Sequence, residues 1–298
     1  MADSSSFQKA KFGVAGWSFR DWEGVVYPRG IAGDRLSYIA RYVDMVEINT
    51  TFYRPPNFRQ AQGWLRQVES CPGFTFSAKL WQRFTHERGP VEPLDVRTFI
   101  DGFEPLVEAG KFATLVFQFP WSFRRTEQSM LHIERLHGAF ERFPQAIEVR
   151  HASWNNPEFM DFLRKHRIAF INIDQPAIRD TLRPTDHVTA PFSYVRLHGR
   201  NERDWFRDDA GRDDRYNYLY STEELDQWND RIKKLADQSE SVYVIANNHF
   251  RGQALANAIE LKHISSGIDV SVPEPMFDAY PHLTRFASNP PAQFNLFA

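Results

Sequence analysis

The chain reads as a single-domain (β/α)8 barrel, and three observations carry that reading. Eight short β-type runs recur at an average spacing of about thirty residues, which suits a closed barrel of about 250 residues or more. Most are separated by segments whose apolar residues repeat with helical spacing. No G-x-G-x-x-G or G-x-x-x-x-G-K-[ST] motif follows any run, which disfavours the runner-up, a doubly wound open sheet.

The first run, FGVAGWS near residue 12, holds Gly13 and Gly16 but lacks the third glycine and the helix start of a nucleotide loop. A helical stripe of Leu36, Ile39, Ala40 and Val43 leads to the second run, MVEINTTFY near 45. Trp64, Leu65 and Val68 form the next stripe, before TFSAKL near 75 and TLVFQFP near 114. Thr126 ahead of Glu127 offers an N-cap for the stripe Met130, Ile133, Leu136 and Phe140. The fifth and sixth runs are AIEVRHASW near 146 and AFINID near 169. The prolines and weak periodicity of Gln175 to Pro191 predict a short or missing helix after strand six. SYVRLHGR near 193 is the seventh run, and a long loop, Gly199 to Tyr220, follows it. Ser221-Thr222-Glu223-Glu224 then caps the stripe Leu225, Trp228, Ile232 and Leu235, which leads into the eighth run, VYVIANNHF near 242. The domain is expected over 12–290, with a disordered or extended N-terminus over 1–11 and a tail over 291–298.

At 298 residues and 42% hydrophobic content the chain can bury a full core. Its net charge of -2 offers no global attraction for nucleic acid or an anionic membrane. Cys71, the sole cysteine, excludes an intrachain disulfide and a multi-cysteine zinc site, and its place before a strand argues against a nucleophile. No stretch reaches the ~18 apolar residues of a membrane span, and the N-terminus has no apolar h-region. A cytoplasmic protein without membrane attachment is expected.

Charge inside several of these strands is the informative departure from a packing barrel. Parallel strands covered by helices normally read as continuous apolar sequence. Here Glu47 and Asn49, Glu148 and Arg150, and Arg196 and His198 each share one face of a strand by the two-residue period. In a barrel the strands' C-terminal ends converge on one mouth, where active sites sit. The candidates there are Glu47, Glu148 and His198 as acid or base groups, with Asn49, Tyr53, Lys79, Arg150, His151, Trp154, Asp174, Arg196, Arg200, Asn247 and Asn248 as binding groups. Lys79, Arg150, Arg196 and Arg200 would gather cations suited to carboxylate or phosphate. Trp17, Tyr53, Trp81 and Trp154 would supply walls for a ring, or simply pack.

Glu148, Asp174 and His198, at the ends of strands five, six and seven, are weak candidates for a divalent metal; the arginines sharing that interior disfavour it, and no cofactor is expected. The loop Gly199 to Tyr220, with tyrosines at 216, 218 and 220, reads as a lid.

The motifs VEINTTFYRPP (46–56), FSAKLWQRFTHE (76–87), VFQFPWSF (116–123), IEVRHASW (147–154), YVRLHGR (194–200), YNYLYSTEEL (216–225) and VIANNHFRGQALANA (244–258) together resemble the YecE-like family, domain of unknown function 72. The resemblance implies a TIM barrel with a shared residue cluster at its mouth, and no established reaction. The favoured function is acid/base catalysis on a small anionic or sugar-like substrate, with Glu47 or Glu148 as base, His198 as acid and Lys79, Arg150 and Arg196 stabilising negative charge. Isomerase, lyase and hydrolase chemistry all fit. A nucleic-acid enzyme or binder is the alternative, and a non-catalytic ligand sensor the third.

Overall fold

The computed structural model describes residues 9–291 apart from 32, 33, 208 and 210 and the side chain of residue 212. Eight parallel strands close into a barrel in sequence order, with the eighth paired to the first. They are β1 (Ala10–Ala15), β2 (Met45–Ile48), β3 (Thr75–Lys79), β4 (Phe112–Gln118), β5 (Gln145–Glu148), β6 (Ala169–Asp174), β7 (Phe192–Leu197) and β8 (Ser241–Ala246). Most of the expected N-terminal extension and nearly all of the expected tail lie outside the described residues, and Ala10 and Lys11 already pair with β8.

The helices are α1 (Arg35–Ile39), α2 (Phe58–Gln67), α3 (Pro93–Asp101), α4 (Glu104–Glu108), α5 (Glu127–Ala139) and α6 (Pro157–His166) up to β6, then α7 (Arg212–Arg215) within the long loop after β7, α8 (Thr222–Gln238), α9 (Gln253–Ser266) and α10 (Met276–Ala279); the four apolar stripes read from the sequence fall on α1, α2, α5 and α8 or just past their C-terminal ends. Caps set their starts. Thr126 accepts from the Ser129 amide at the head of α5, and Ser221 and Glu224 form a reciprocal capping box on α8. The apolar stripe of α8, Leu225, Trp228, Ile232 and Leu235, packs on the outer residues Val195 and Leu197 of β7 and Val242 and Val244 of β8.

No helix covers β6. Pro176, Pro184 and Pro191 deny the following segment the run of amides a helix needs. Beyond Phe170 the outer face of β6 is polar to match: Asn172 Oδ1 accepts from the Thr185 hydroxyl and the His187 amide, both at 2.8 Å, and its Nδ2 donates to His187 O at 3.0 Å. The loop's backbone is thus satisfied by a strand side chain in place of helical bonds. Among the described residues no helix is long and apolar enough to cross a membrane.

Candidate functional site

Strand parity decides which side chains enter the barrel. Along β7, Val195 and Leu197 face the outer helices, so Tyr194, Arg196 and His198 turn inward. The same alternation sends Glu47 inward from β2, Lys79 from β3, Gln118 from β4, and Glu148 and Arg150 from β5. Arg196 stands at the centre and is fully buried. Its Nη2 donates to Glu47 Oε1 at 2.7 Å, its Nη1 pairs with Glu148 Oε2, and Gln118 Oε1 lies 3.5 Å from Nη1. One guanidinium therefore bridges two carboxylates from different strands, one through each terminal nitrogen of its planar fork.

Neighbouring groups occupy the remaining carboxylate oxygens. Tyr194 donates its hydroxyl to Glu47 Oε2 at 2.9 Å and lies 2.8 Å from Ser77 Oγ. Arg150 Nε donates to Glu148 Oε1 at 2.8 Å. His198 Nε2 stands 3.3 Å from Glu148 Oε2, and Asn247 Nδ2 donates to His198 Nδ1 at 3.0 Å, which leaves the imidazole proton on Nε2, facing the carboxylate. Lys79 Nζ is 4.0 Å from Glu47 Oε1. Glu47, Glu148, Arg196 and His198 have no exposed side-chain surface, whereas Lys79 and Arg150 keep 13% each. The two cations form the accessible top of a sealed ionic layer.

Burial and this crowd of charges set the protonation states. Burial, joined by the Arg196 charge and only partly offset by Glu47, brings the Lys79 ammonium down to about 7. Burial likewise lowers His198 to about 3 against the pull of Glu148, so its imidazole is neutral near pH 7. Burial alone would raise Glu148, but Arg196, His198 and Arg150 hold it well below the usual carboxylate range. His86, lowered to about 4 by burial and then by the Arg150 and Lys79 charges, is a further neutral imidazole at this end. Its ring meets Phe52 edge-on at 4.8 Å, and Lys79 lies 5.8 Å from the centre of the same Phe52 ring.

The loop after β7 lies over the mouth. Trp205, only 7% exposed, sits 5.7 Å from the Arg150 guanidinium and 6.2 Å from the His198 ring. Tyr216 packs on Trp205 at 5.8 Å and on His249 at 5.2 Å. Gly199 starts the loop at φ 89, where a Cβ would meet Tyr218 Cβ at 2.7 Å. The turn out of β7 therefore has room only for glycine.

Of the residues expected at the mouth, Glu47, Lys79, Glu148, Arg150, Arg196, His198 and Asn247 converge there. Asn49 follows Glu47, and its Oδ1 is buried without a hydrogen bond among the described residues. Several others go elsewhere. Asp174 has outward parity: it accepts from Arg200 through both oxygens, at 2.8 to 3.0 Å, and from the Trp228 indole of α8 at 2.5 Å. Arg200 also bonds Glu224 at 2.8 Å, so this pair anchors α8 and is no part of the mouth. Glu148 and His198 consequently lack their expected third partner for a metal, and no group of three such donors occurs among the described residues. Asn248 turns outward to Tyr218 O and Asn257. Trp154 is fully buried between Phe123 and Phe159 and donates its indole N–H to Phe123 O, a packing residue. Tyr53 is 62% exposed on the rim, and His151 lies beside Trp121. Tyr194, Ser77, His86 and Trp205 complete the site without having been singled out. Tyr194 and Ser77 carried a signal, standing two residues before Arg196 and Lys79 on the same strand faces.

A family model described as "Protein of unknown function DUF72" matches residues 11–275. UPF0759 protein YunF of Bacillus subtilis (strain 168) is 28% identical over 267 residues, covering 84% of this chain and 92% of that relative. The crystal structure of a DUF72 family protein from Thermotoga maritima MSB8 superposes with a TM-score of 0.78 at 34% identity, covering 86% of this chain and 98% of its own. A DUF72 family protein from Enterococcus faecalis V583 gives 0.77 at 24% identity, with 89% and 98% coverage, a likeness of fold.

Proposed function

The chain belongs to the DUF72 family of proteins of unknown function, and from that premise we propose that it is an enzyme that binds a small anionic substrate between Lys79 and Arg150 and moves a proton on it. The observation that carries this reading is the pair of partly exposed cations seated on a fully buried Glu47–Arg196–Glu148 layer. Packing alone has little use for that layer, because apolar residues of similar volume are often as stable as a buried ionic network or more so.

Roles follow from which atoms are free to act. Arg150 is fixed through Nε by Glu148, and its terminal nitrogens make no hydrogen bond among the described residues, so they suit an incoming oxyanion. Lys79, at about 7, exchanges its proton near neutral pH and is the acid or base of this proposal. Glu47 and Glu148 have both oxygens engaged, and His198 is neutral; they position Lys79 and Arg150 rather than transfer protons. Trp205 would exclude water over the bound substrate.

The test is a thermal-shift screen of carboxylated and phosphorylated small molecules, with oligonucleotides included. A ligand that stabilises the wild type and is then turned over, with both effects lost in Lys79→Met and Arg150→Met proteins of native circular dichroism, is the expected result. Stabilisation without turnover would turn the reading into a ligand sensor, and hits indifferent to both variants would end it.

A further inference from the structure

Beside the Lys79–Arg150 mouth, at the ends of β4 and β5, lies a second group of donors with few acceptors. The Trp121 and His151 rings stand 5.6 Å apart, and Trp121 Nε1 and His151 Nε2 are both buried without a hydrogen bond among the described residues. The Ser153 amide donates to His151 Nδ1 at 3.1 Å, so the ring proton sits on the unbonded Nε2. Two N–H donors shut away from water without acceptors are costly, and native structures rarely keep them unless something else fills the site.

Two arginines flank these donors. Arg124 lies 5.5 Å from the centre of the Trp121 ring and Arg179 4.8 Å from that of Phe206, while Phe206 meets Trp121 at 5.3 Å. Both arginines are exposed, and neither has an ion-pair partner among the described residues. Among the described residues the sole carboxylate paired with His151 is Asp180, 3.9 Å from Nε2 and beyond hydrogen-bond reach, with 72% of its side chain exposed.

We propose that Trp121, His151, Arg124 and Arg179 form a second anion subsite that receives a phosphate group, the two ring N–H donors and the two guanidiniums supplying its hydrogen bonds and charge. The subsite is continuous with the mouth through two pairs of adjacent residues. Arg150 serves the mouth and His151 the rim; Trp205 covers Arg150 while Phe206 meets Trp121 edge-on. Resting on the reading above, this makes the ligand a phosphate monoester whose other end carries the anionic or carbonyl group acted on at Lys79. Phosphate at the rim is the handle that binds and orients, remote from the reacting atoms.

The experiment titrates the full chain with inorganic phosphate and follows the tryptophan indole N–H resonances, with the Trp121 signal assigned by Trp121→Phe. The Trp121 resonance should move saturably, and removing one arginine, Arg124→Ala or Arg179→Ala, should weaken phosphate about tenfold, the loss of one charge-assisted hydrogen bond. Lys79→Met should leave phosphate affinity within about twofold, since the ammonium stands at the other subsite. No movement of Trp121, or an affinity unchanged in the Arg124→Ala, Arg179→Ala double variant, overturns the proposal. Phosphate binding lost in Lys79→Met or Arg150→Met and kept in the double variant overturns it too while leaving the mouth reading intact. Binding at the rim together with a mouth whose variants change no turnover would support this subsite and remove the preceding reading.

Discussion

Replacing Arg196 by Met removes the one cation that two buried carboxylates share. In the wild type the guanidinium holds Glu47 Oε1 at 2.7 Å and Glu148 Oε2, with none of the three side chains exposed. Without it, Glu47 keeps the Tyr194 hydroxyl and Lys79 at 4.0 Å, and Glu148 keeps Arg150 and His198. Breaking a buried pair by deleting one partner costs about 3–5 kcal/mol, and here two carboxylates lose a partner, so the upper end applies. That is a large share of the about 5–15 kcal/mol by which a domain is stable. At about 2–4 °C per kcal/mol for a domain of this order of size, the melting temperature should fall by about 10 °C or more.

The pH dependence of the Arg196→Met loss has a definite sign. Wild-type Glu148 titrates well below its unfolded value of 4.5, so its stabilisation is present above that value and is lost as pH falls through the folded one. In Arg196→Met the largest opposing charge is gone and burial raises the same carboxyl. Its penalty is then present above the raised value and relieved as pH falls through it. Urea unfolding followed by circular dichroism at pH 7 and pH 5 should therefore show the gap between wild type and variant narrowing in acid. A gap under about 1 kcal/mol at pH 7, the scale of an exposed ion pair, or one that does not change with pH, would refute the claim that Arg196 neutralises a sealed pair.

Three further outcomes are expected. Lys79 is held at about 7 against 10.5 unfolded, so the unfolded chain binds the extra proton between those values; wild-type stability should gain up to about 5 kcal/mol from this group as pH rises from 7 to 10.5, and Lys79→Met should remove that slope in urea titrations. Trp205→Ala should uncover the mouth and speed labelling of Lys79 by an amine-reactive reagent, read by peptide mass spectrometry; an unchanged rate would show that Trp205 does not gate access. Asp174→Asn should cost about 3 kcal/mol through the loss of its Arg200 fork and leave ligand binding at Lys79 and Arg150 unaltered, measured by denaturation and by ligand-induced thermal shift.

How much of the site was legible depended on strand patterning. Glu47, Glu148 and Arg196 alternate with branched apolar neighbours, so a two-residue period was enough to put them on one face, and barrel closure brought those faces together. In β6, AFINID, both faces are buried: Ile171 and Ile173 turn inward while Asn172 and Asp174 turn outward against polar loop and helix partners. With no exposed side to break the symmetry, nothing local marks Asp174 as outward. Its partners, Arg200 and Trp228, are 26 and 54 residues away. Trp154 misled for a similar reason, since a tryptophan just past a strand end can line a mouth or fill the gap beneath a helix, and the position of Phe123 and Phe159 decides.

From the amino-acid order alone came the eight strands, the helix caps, the helix missing after β6 and the charged faces of β2, β5 and β7, because each is a matter of spacing and backbone chemistry within a few residues. Only the tertiary structure decided which cation each carboxylate meets, that Arg196 and His198 are sealed while Lys79 and Arg150 stay accessible, and that Lys79 titrates near neutrality. Those properties depend on how much water each charge loses and on which charges from distant strands surround it, and neither quantity exists until the barrel has closed.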